Sequence, residues 1–224
     1  MVGTRKNDRV PTTLTASAVL FDMDGTLIDS TGAVERIWTA FAVRFGLQVP
    51  AVLDTIQGVR MIDSIRRWVP EGTDADAVYE EFHEQELGDM AGVSPIPGAV
   101  EFMTSLPADR VAVATSASTA LALARLAAGG IPQPAVVVTA DHVAEGKPDP
   151  APYLAAARLL GVAATDCVVF EDAEAGIVSG LAAGARVVVV GDVVSAVTAG
   201  LPRIRNYRNV HARTLDGALV IELG

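Results

Sequence analysis

Ala18-Val19-Leu20-Phe21-Asp22-Met23-Asp24-Gly25-Thr26 runs from four apolar residues directly into two acids. The apolar residues read as a strand buried on both faces, and Gly25-Thr26 reads as the turn that ends it. Once the chain leaves a strand, side-chain alternation relaxes, and carboxylates two positions apart can face one pocket. Such a pair can divide labour, one acid attacking as a nucleophile while the other carries protons. An Asx-rich turn that merely caps a strand looks the same locally, so the rest of the chain decides.

Downstream, short β-branched runs alternate with Ala-rich segments. Beyond Ala18–Phe21 the runs are 110–114, 135–138, 167–170 and 186–190, and helix-like stretches cover 98–106, 118–128, 150–160 and 173–183. Pro97-Gly98, Ser118-Thr119, Pro150 and Pro152 supply helix-start signals. This alternation predicts an α/β fold: a Rossmann-like parallel sheet with helices on both faces. Residues 30–95 break the pattern. They hold amphipathic segments at 31–45 and 74–87 and room for a helix within 53–69, with Val34, Trp38, Phe41 and Phe45 at helical spacing. They read as a small helical cap domain inserted into a core domain of residues 17–29 and 96–224. The linkers 27–30 and 92–98 are the expected hinges. Residues 1–16 read as a flexible N-terminal arm, and 214–221 as a turn or short edge element.

In an open parallel sheet, ligands bind outside the carboxyl ends of the strands. Those ends carry Asp22 and Asp24, then Thr115 to Ser118, then, by way of a loop, Gly146-Lys147-Pro148-Asp149-Pro150, then Glu171 and Asp172. Each has an ordinary alternative: a helix cap for Ser118, a solvated charge for Lys147, a helix-dipole partner for the last two acids. Together they place carboxylates, hydroxyls and an ammonium along one edge. Clustered carboxylates repel one another unless a cation sits among them, and oxygen-only ligands favour a hard ion such as Mg²⁺. A phosphate monoester brought there can be attacked by an Asp oxygen, giving an aspartyl-phosphate.

The composition agrees. A net charge of −10 with no basic stripe argues against a nucleic-acid partner. The single Cys167 excludes an internal disulfide and any cysteine-rich zinc site. No apolar run reaches the ~20 residues of a membrane span, and residues 1–13 lack the apolar stretch of a signal peptide. A cytoplasmic protein acting on a small phosphorylated metabolite, with a monomer as the default state, is the expectation.

The set Phe-Asp-Met-Asp-Gly-Thr (21–26), Ala-Thr-Ser-Ala-Ser (114–118), Gly-Lys-Pro-Asp-Pro (146–150) and Val-Phe-Glu-Asp-Ala-Glu-Ala-Gly-Ile (169–177) resembles, in order, the four motifs of the haloacid dehalogenase-like superfamily. The likeness covers roughly residues 17–192 and points to the phosphatase branch with a small helical cap. It implies that Asp22 is the nucleophile and a Mg²⁺ ligand. Asp24 is then the general acid and base, with its carbonyl also on the metal. Ser116 and Lys147 grip the transferring phosphate, and Asp172 with Glu171 completes the metal site. Ser116, Ala117, Lys147 and, from the cap, Arg60 are the implied substrate contacts. Asp24 further separates phosphate-handling members from dehalogenases, which lack a second acid there.

Within the capped group, Val34-Glu35-Arg36-Ile37-Trp38, Gly58-Val59-Arg60, Thr115-Ser116 and Val138-Thr139-Ala140-Asp141 resemble sugar- and polyol-phosphate phosphatases of the 2-deoxyglucose-6-phosphatase and glycerol-3-phosphatase type. β-Phosphoglucomutase is the alternative. Its cap has a His where this chain has Val34 and an Arg at the place of Met61, and after the Ser-Ala-Ser stretch it has a Lys where this chain has Thr119. A receiver-type signalling module, which stores an aspartyl-phosphate without catalysis, is a further alternative. It lacks an inserted cap and a second Asp placed to activate water.

Overall fold

The computed structural model describes residues 12–224, beginning with the strand Thr12–Ala16 (β1). A parallel sheet of six strands forms the centre. Ala18–Phe21 (β2) lies between Val111–Ala114 (β5) and Cys167–Glu171 (β7). Val136–Val138 (β6) flanks β5, while Arg186–Val190 (β8) and then Arg203–Ile204 (β9) extend the other side. Every residue of β2, β5 and β7 is buried, as continuous apolar runs require when both faces are covered.

Side-chain alternation divides these strands between two apolar layers. Val19, Phe21, Val113, Val168 and Phe170 join one layer with Phe102 and Leu126, which come from helices Ala99–Ser105 (α5) and Thr119–Ala128 (α6). Leu20, Ala112, Val169 and Val187 join the other with Tyr153 and Ile177 from helices Ala151–Leu159 (α7) and Glu174–Ala182 (α8). Ser118 caps α6 by accepting from the Leu121 amide at 3.2 Å. Five of the six strands and the four core helices therefore follow the sequence expectation within a residue or two, while β9 is not among the expected runs.

Three further segments depart from that expectation. Thr12–Ala16 are not part of a flexible arm. They pair antiparallel with Ala218–Leu223 (β11), which pairs in turn with Val210–Leu215 (β10). Leu14 and the buried Ala16 pack into the first core layer, and Thr12, Thr13 and Thr15 suit an extended edge. Residues 1–11 of the expected arm lie outside the described residues. The second departure is the chain end, which forms more than a short edge element. Asp216-Gly217 closes a two-residue hairpin, and Leu219, Ile221 and Leu223 bury against the same layer.

The third departure is in the inserted helical region. It comprises Thr31–Arg44 (α1), Val49–Ile56 (α2), Met61–Trp68 (α3) and Ala75–Gly88 (α4). The stretch 53–69 does hold the expected helix, as α3, and the departure is α2, an additional helix whose end falls in the same stretch. Gly58 separates them with φ +72°, and a Cβ there would lie 2.8 Å from the Ala173 Cβ, so the break is where this region touches the core. The helices share an apolar cluster of their own around Trp38, Phe41, Val52, Ile65 and Phe82. Where the chain enters and leaves, Ile28–Asp29 (β3) and Ser94–Pro95 (β4) pair in a short antiparallel ladder that ties the two linkers together.

Candidate active site

The register of β2 against β7 pairs Phe21 with Phe170, and their rings stack with centroids 5.3 Å apart. The next residue on each strand is an acid, so Asp22 and Glu171 emerge side by side. Lys147 reaches between them. Its Nζ donates to Asp22 Oδ1 at 2.5 Å and to Glu171 Oε1 at 2.7 Å, with no side-chain surface left to solvent. Tyr153 Oη also donates to Glu171 Oε1, at 2.9 Å, and the Asp172 and Ala173 amides donate to Oε2 at 2.9 and 3.0 Å. Four donors therefore fix Glu171 completely. Burial alone would lower the Lys147 ammonium, but the Asp22 and Glu171 carboxylates against it prevail and raise it. At Asp22, by contrast, burial prevails. With the nearby Glu171 charge it outweighs the attraction of Lys147, and the carboxyl is pushed up to about 7.

Asp172 completes the acidic floor. Thr26 Oγ1 donates to its Oδ1 at 2.8 Å. Gly25 has φ +81°, and any Cβ there would fall 2.0 Å from Asp172 Oδ2, so the Asp-Gly-Thr turn needs its glycine for space as much as for conformation. Burial first, then the Asp22 and Glu171 charges, drive the Asp172 carboxyl well above its ordinary range. Carboxylate oxygens from Asp22, Glu171 and Asp172 lie within 4.8 Å of one another. Three acids against one ammonium leave a deficit of positive charge. An all-oxygen donor set with that deficit fits a hard divalent cation, so the group can coordinate one.

Asp24 sits just above. Its Oδ1 accepts from Ser30 Oγ at 2.7 Å and its Oδ2 from Arg125 Nη1 at 2.9 Å. Asp22, Asp24, Ser116, Ala117 and Arg60 all line a cavity of about 390 Å³ between the parallel sheet and the helical insert. Ser116 Oγ donates across it to the Gly58 carbonyl at 2.7 Å, and the Ala117 amide donates to Thr115 Oγ1 at 3.1 Å. Arg60 is held in place. Nε and Nη2 bind Asp63 at 2.6 and 3.2 Å, and Nη1 donates to the Ala144 carbonyl of the core at 2.8 Å. Elsewhere in the insert, His83 bonds Ser118 Oγ at 2.6 Å, and Arg36 is paired with Asp89 at its edge.

Sequence reasoning missed Arg125, Glu86 and Tyr153. Arg125 left a signal, as the lone charge in the apolar helix Thr-Ala-Leu-Ala-Leu-Ala-Arg-Leu-Ala-Ala (119–128). Glu86 and Tyr153 left none, since an acid late in a polar helix and a tyrosine at a helix start are ordinary. Their partners arise only from tertiary packing.

Comparison with known proteins agrees with the geometry. A family model described as haloacid dehalogenase-like hydrolase matches residues 16–184. Hexitol phosphatase A of Escherichia coli is 43% identical over 175 residues, covering 76% of this chain and 81% of that protein. Glycerol-1-phosphate phosphohydrolase 2 of Saccharomyces cerevisiae is 35% identical over 191 residues, covering 80% and 76%. Among solved structures, CbbY from Rhodobacter sphaeroides in complex with phosphate superimposes with a TM-score of 0.71 at 25% identity, covering 86% of this chain and 95% of that one. The chain belongs to the haloacid dehalogenase-like hydrolases, and it is an enzyme of the type that cleaves phosphate monoesters through an aspartyl-phosphate.

Proposed function

We propose that the chain is a Mg²⁺-dependent phosphatase that hydrolyses a small sugar or polyol phosphate, with Asp22 as the nucleophile and Asp24 as the general acid and base. The observation that carries this reading is the placement of Asp22 and Asp172 at the ends of the adjacent strands β2 and β7, with Lys147 brought onto Asp22 by the loop after β6, beside the cavity under the helical insert. Asp22 and Asp172, with the Asp24 carbonyl and Glu171 beside them, would hold the ion. When bound, it supplies positive charge that lets the acids ionise together and offsets the charge of the phosphoryl oxygens.

In the first step an Asp22 oxygen bonds to phosphorus and the ester P–O bond breaks. The departing alkoxide takes a proton from the Asp24 carboxyl. In the second, water bonds to phosphorus and gives a proton to the Asp24 carboxylate. The bond from phosphorus to Asp22 breaks, and both acids return to their starting state. Lys147 steadies Asp22 and the phosphoryl oxygens, and Ser116 and the Ala117 amide would join it by exchanging the Gly58 carbonyl and the Thr115 hydroxyl for phosphoryl oxygens. Asp24 also separates this reading from storage of a phosphoryl group as a signal, because it gives water a base.

Two features favour a hydroxyl-bearing substrate. The cavity lining also carries Asp76, Tyr79, Glu80 and His83 from the insert and Asp141 from the core, which suit hydroxyl groups and disfavour a second anion. Arg60, the natural partner for a carboxylate, already spends most of its donors on Asp63 and core carbonyls. The hexitol and glycerol phosphates named for the relatives have tails of this kind. The test is phosphate release from a panel of hexitol, glycerol and sugar phosphates, with and without Mg²⁺. Mg²⁺-dependent release favouring one ester supports the reading. Conversion of β-glucose 1-phosphate to glucose 6-phosphate without release would replace it with a phosphomutase.

A further inference from the structure

The second acid of the site is gripped from two sides. Ser30, which accounts for one of its oxygens, stands immediately before α1 at the entry to the cap. Arg125, which accounts for the other, lies on α6 of the core and is 2% exposed. Its second terminal nitrogen donates to Glu86 Oε1 at 2.8 Å. Glu86 belongs to the last turn of α4, in the cap, and is also buried. A single guanidinium thus spans from a cap helix to the carboxylate expected to move protons. Its planar fork fixes the relative placement of its two partners, and a buried guanidinium persists only while paired. Any shift of α4 against the core must either break this link or carry Arg125 with it.

We propose that Arg125 is a positioning residue that fixes the Asp24 carboxylate for the water-activating step and, through Glu86, makes that placement depend on the cap being seated. The inference rests on the phosphatase reading above. With both oxygens accepting, Asp24 is fixed in orientation while lone pairs remain for a proton. In aspartyl-phosphate hydrolysis that proton comes from the water whose oxygen bonds to phosphorus, as the electron pair of the breaking P–O bond returns to Asp22. A carboxylate free to rotate receives it poorly, so this step slows. Loading Asp22 from acetyl phosphate expels acetate, which leaves without a proton and makes no demand on Asp24.

The experiment compares wild type, Arg125→Gln and Glu86→Gln with acetyl phosphate and Mg²⁺. In Arg125→Gln, kcat falls by ~10- to 100-fold, within the usual range for misplaced proton transfer. Meanwhile kcat/KM, which reports only formation of the aspartyl-phosphate, falls by less than ~3-fold. Phosphorylated enzyme accumulates and is read by intact mass after acid quench. Glu86→Gln gives the same split with a smaller loss, and carries the test alone where Arg125→Gln fails to fold. If kcat and kcat/KM fall together without phosphoenzyme, Arg125 only fastens the cap and the inference is overturned, as it is by variants indistinguishable from wild type. Failure of the phosphatase reading looks different, because the unsubstituted enzyme would then release no phosphate from any ester.

Discussion

The floor of the cavity and its roof are held together by different physics. In the floor, fully buried charges meet at strand ends. Lys147, Glu171 and Asp22 lie within hydrogen-bond distance, and Glu171 alone takes four donors. Two parallel strands set the spacing of the acids, and neither can move without breaking the sheet. The roof is a helical insert with its own apolar cluster, joined to the core by a few polar contacts: Ser116 to Gly58, Arg60 to Ala144, His83 to Ser118 and Arg125 to Glu86. The comparison teaches where each function belongs. Chemistry that tolerates little displacement is built on the rigid element, and selection of a substrate, which requires opening, is left to contacts that can be remade.

Substitutions can break this contrast at its strongest point first. Asp22→Asn removes the nucleophile while keeping its size, and phosphate release should fall by on the order of 10⁴-fold or more. Retained turnover would move the chemistry off the floor. Lys147→Met comes next. It leaves Asp22 and Glu171 buried against each other, and should lower stability by about 3–5 kcal/mol in denaturant unfolding as well as abolish activity. An unfolding midpoint equal to wild type would mean the floor is not held by that ammonium.

The electrostatics of the floor also have a pH signature. Asp22 is held near 7 in the fold against an ordinary 3.8, so between those values the folded chain keeps the proton that the unfolded chain has lost. Stability of the metal-free protein therefore falls as pH rises through that window, with the full penalty present above about 7. Asp172, raised for the same reason, adds in the same sense. A cation relieves that penalty only where the acids are ionised. Mg²⁺ should therefore raise the melting temperature more at about pH 8 than at about pH 5, and an equal rise at both would contradict the assignment. The smallest effect is expected in the roof. Arg60→Ala, whose guanidinium is spent on Asp63 and on core carbonyls, should change KM by only ~3- to 10-fold and leave kcat nearly unchanged. A loss confined to kcat would place Arg60 on the reacting phosphate instead.

The same division governs what the sequence makes legible. Asp22, Asp24, Glu171 and Asp172 sit at the ends of apolar runs whose period and length announce buried strands, and Lys147 stands out in the Gly-Lys-Pro-Asp-Pro loop that follows another, so they can be picked out one by one. Their neighbourhood follows from the rule that parallel strand ends converge. Roof contacts obey no such rule. Nothing local announces that Gly58 will break a helix to meet Ala173, or that Glu86 will find Arg125. These pairings depend on how one packed body sits on another, whereas the i,i+3 pair Arg60–Asp63 is local and its spacing is open to sequence reading. Thr12–Ala16 escaped for a related reason. A strand whose partner lies at the far end of the chain looks like a polar arm until Ala218–Leu223 is folded beside it.

The central claim is that phosphate passes through Asp22. Wild type and Asp22→Asn would be mixed with a ³²P-labelled ester and Mg²⁺, quenched in acid within one turnover, and mapped by peptide. The account predicts acid-stable label on the peptide carrying Asp22 in wild type and none in Asp22→Asn. Label on a different side chain, or phosphate released by Asp22→Asn at the wild-type rate, would contradict it.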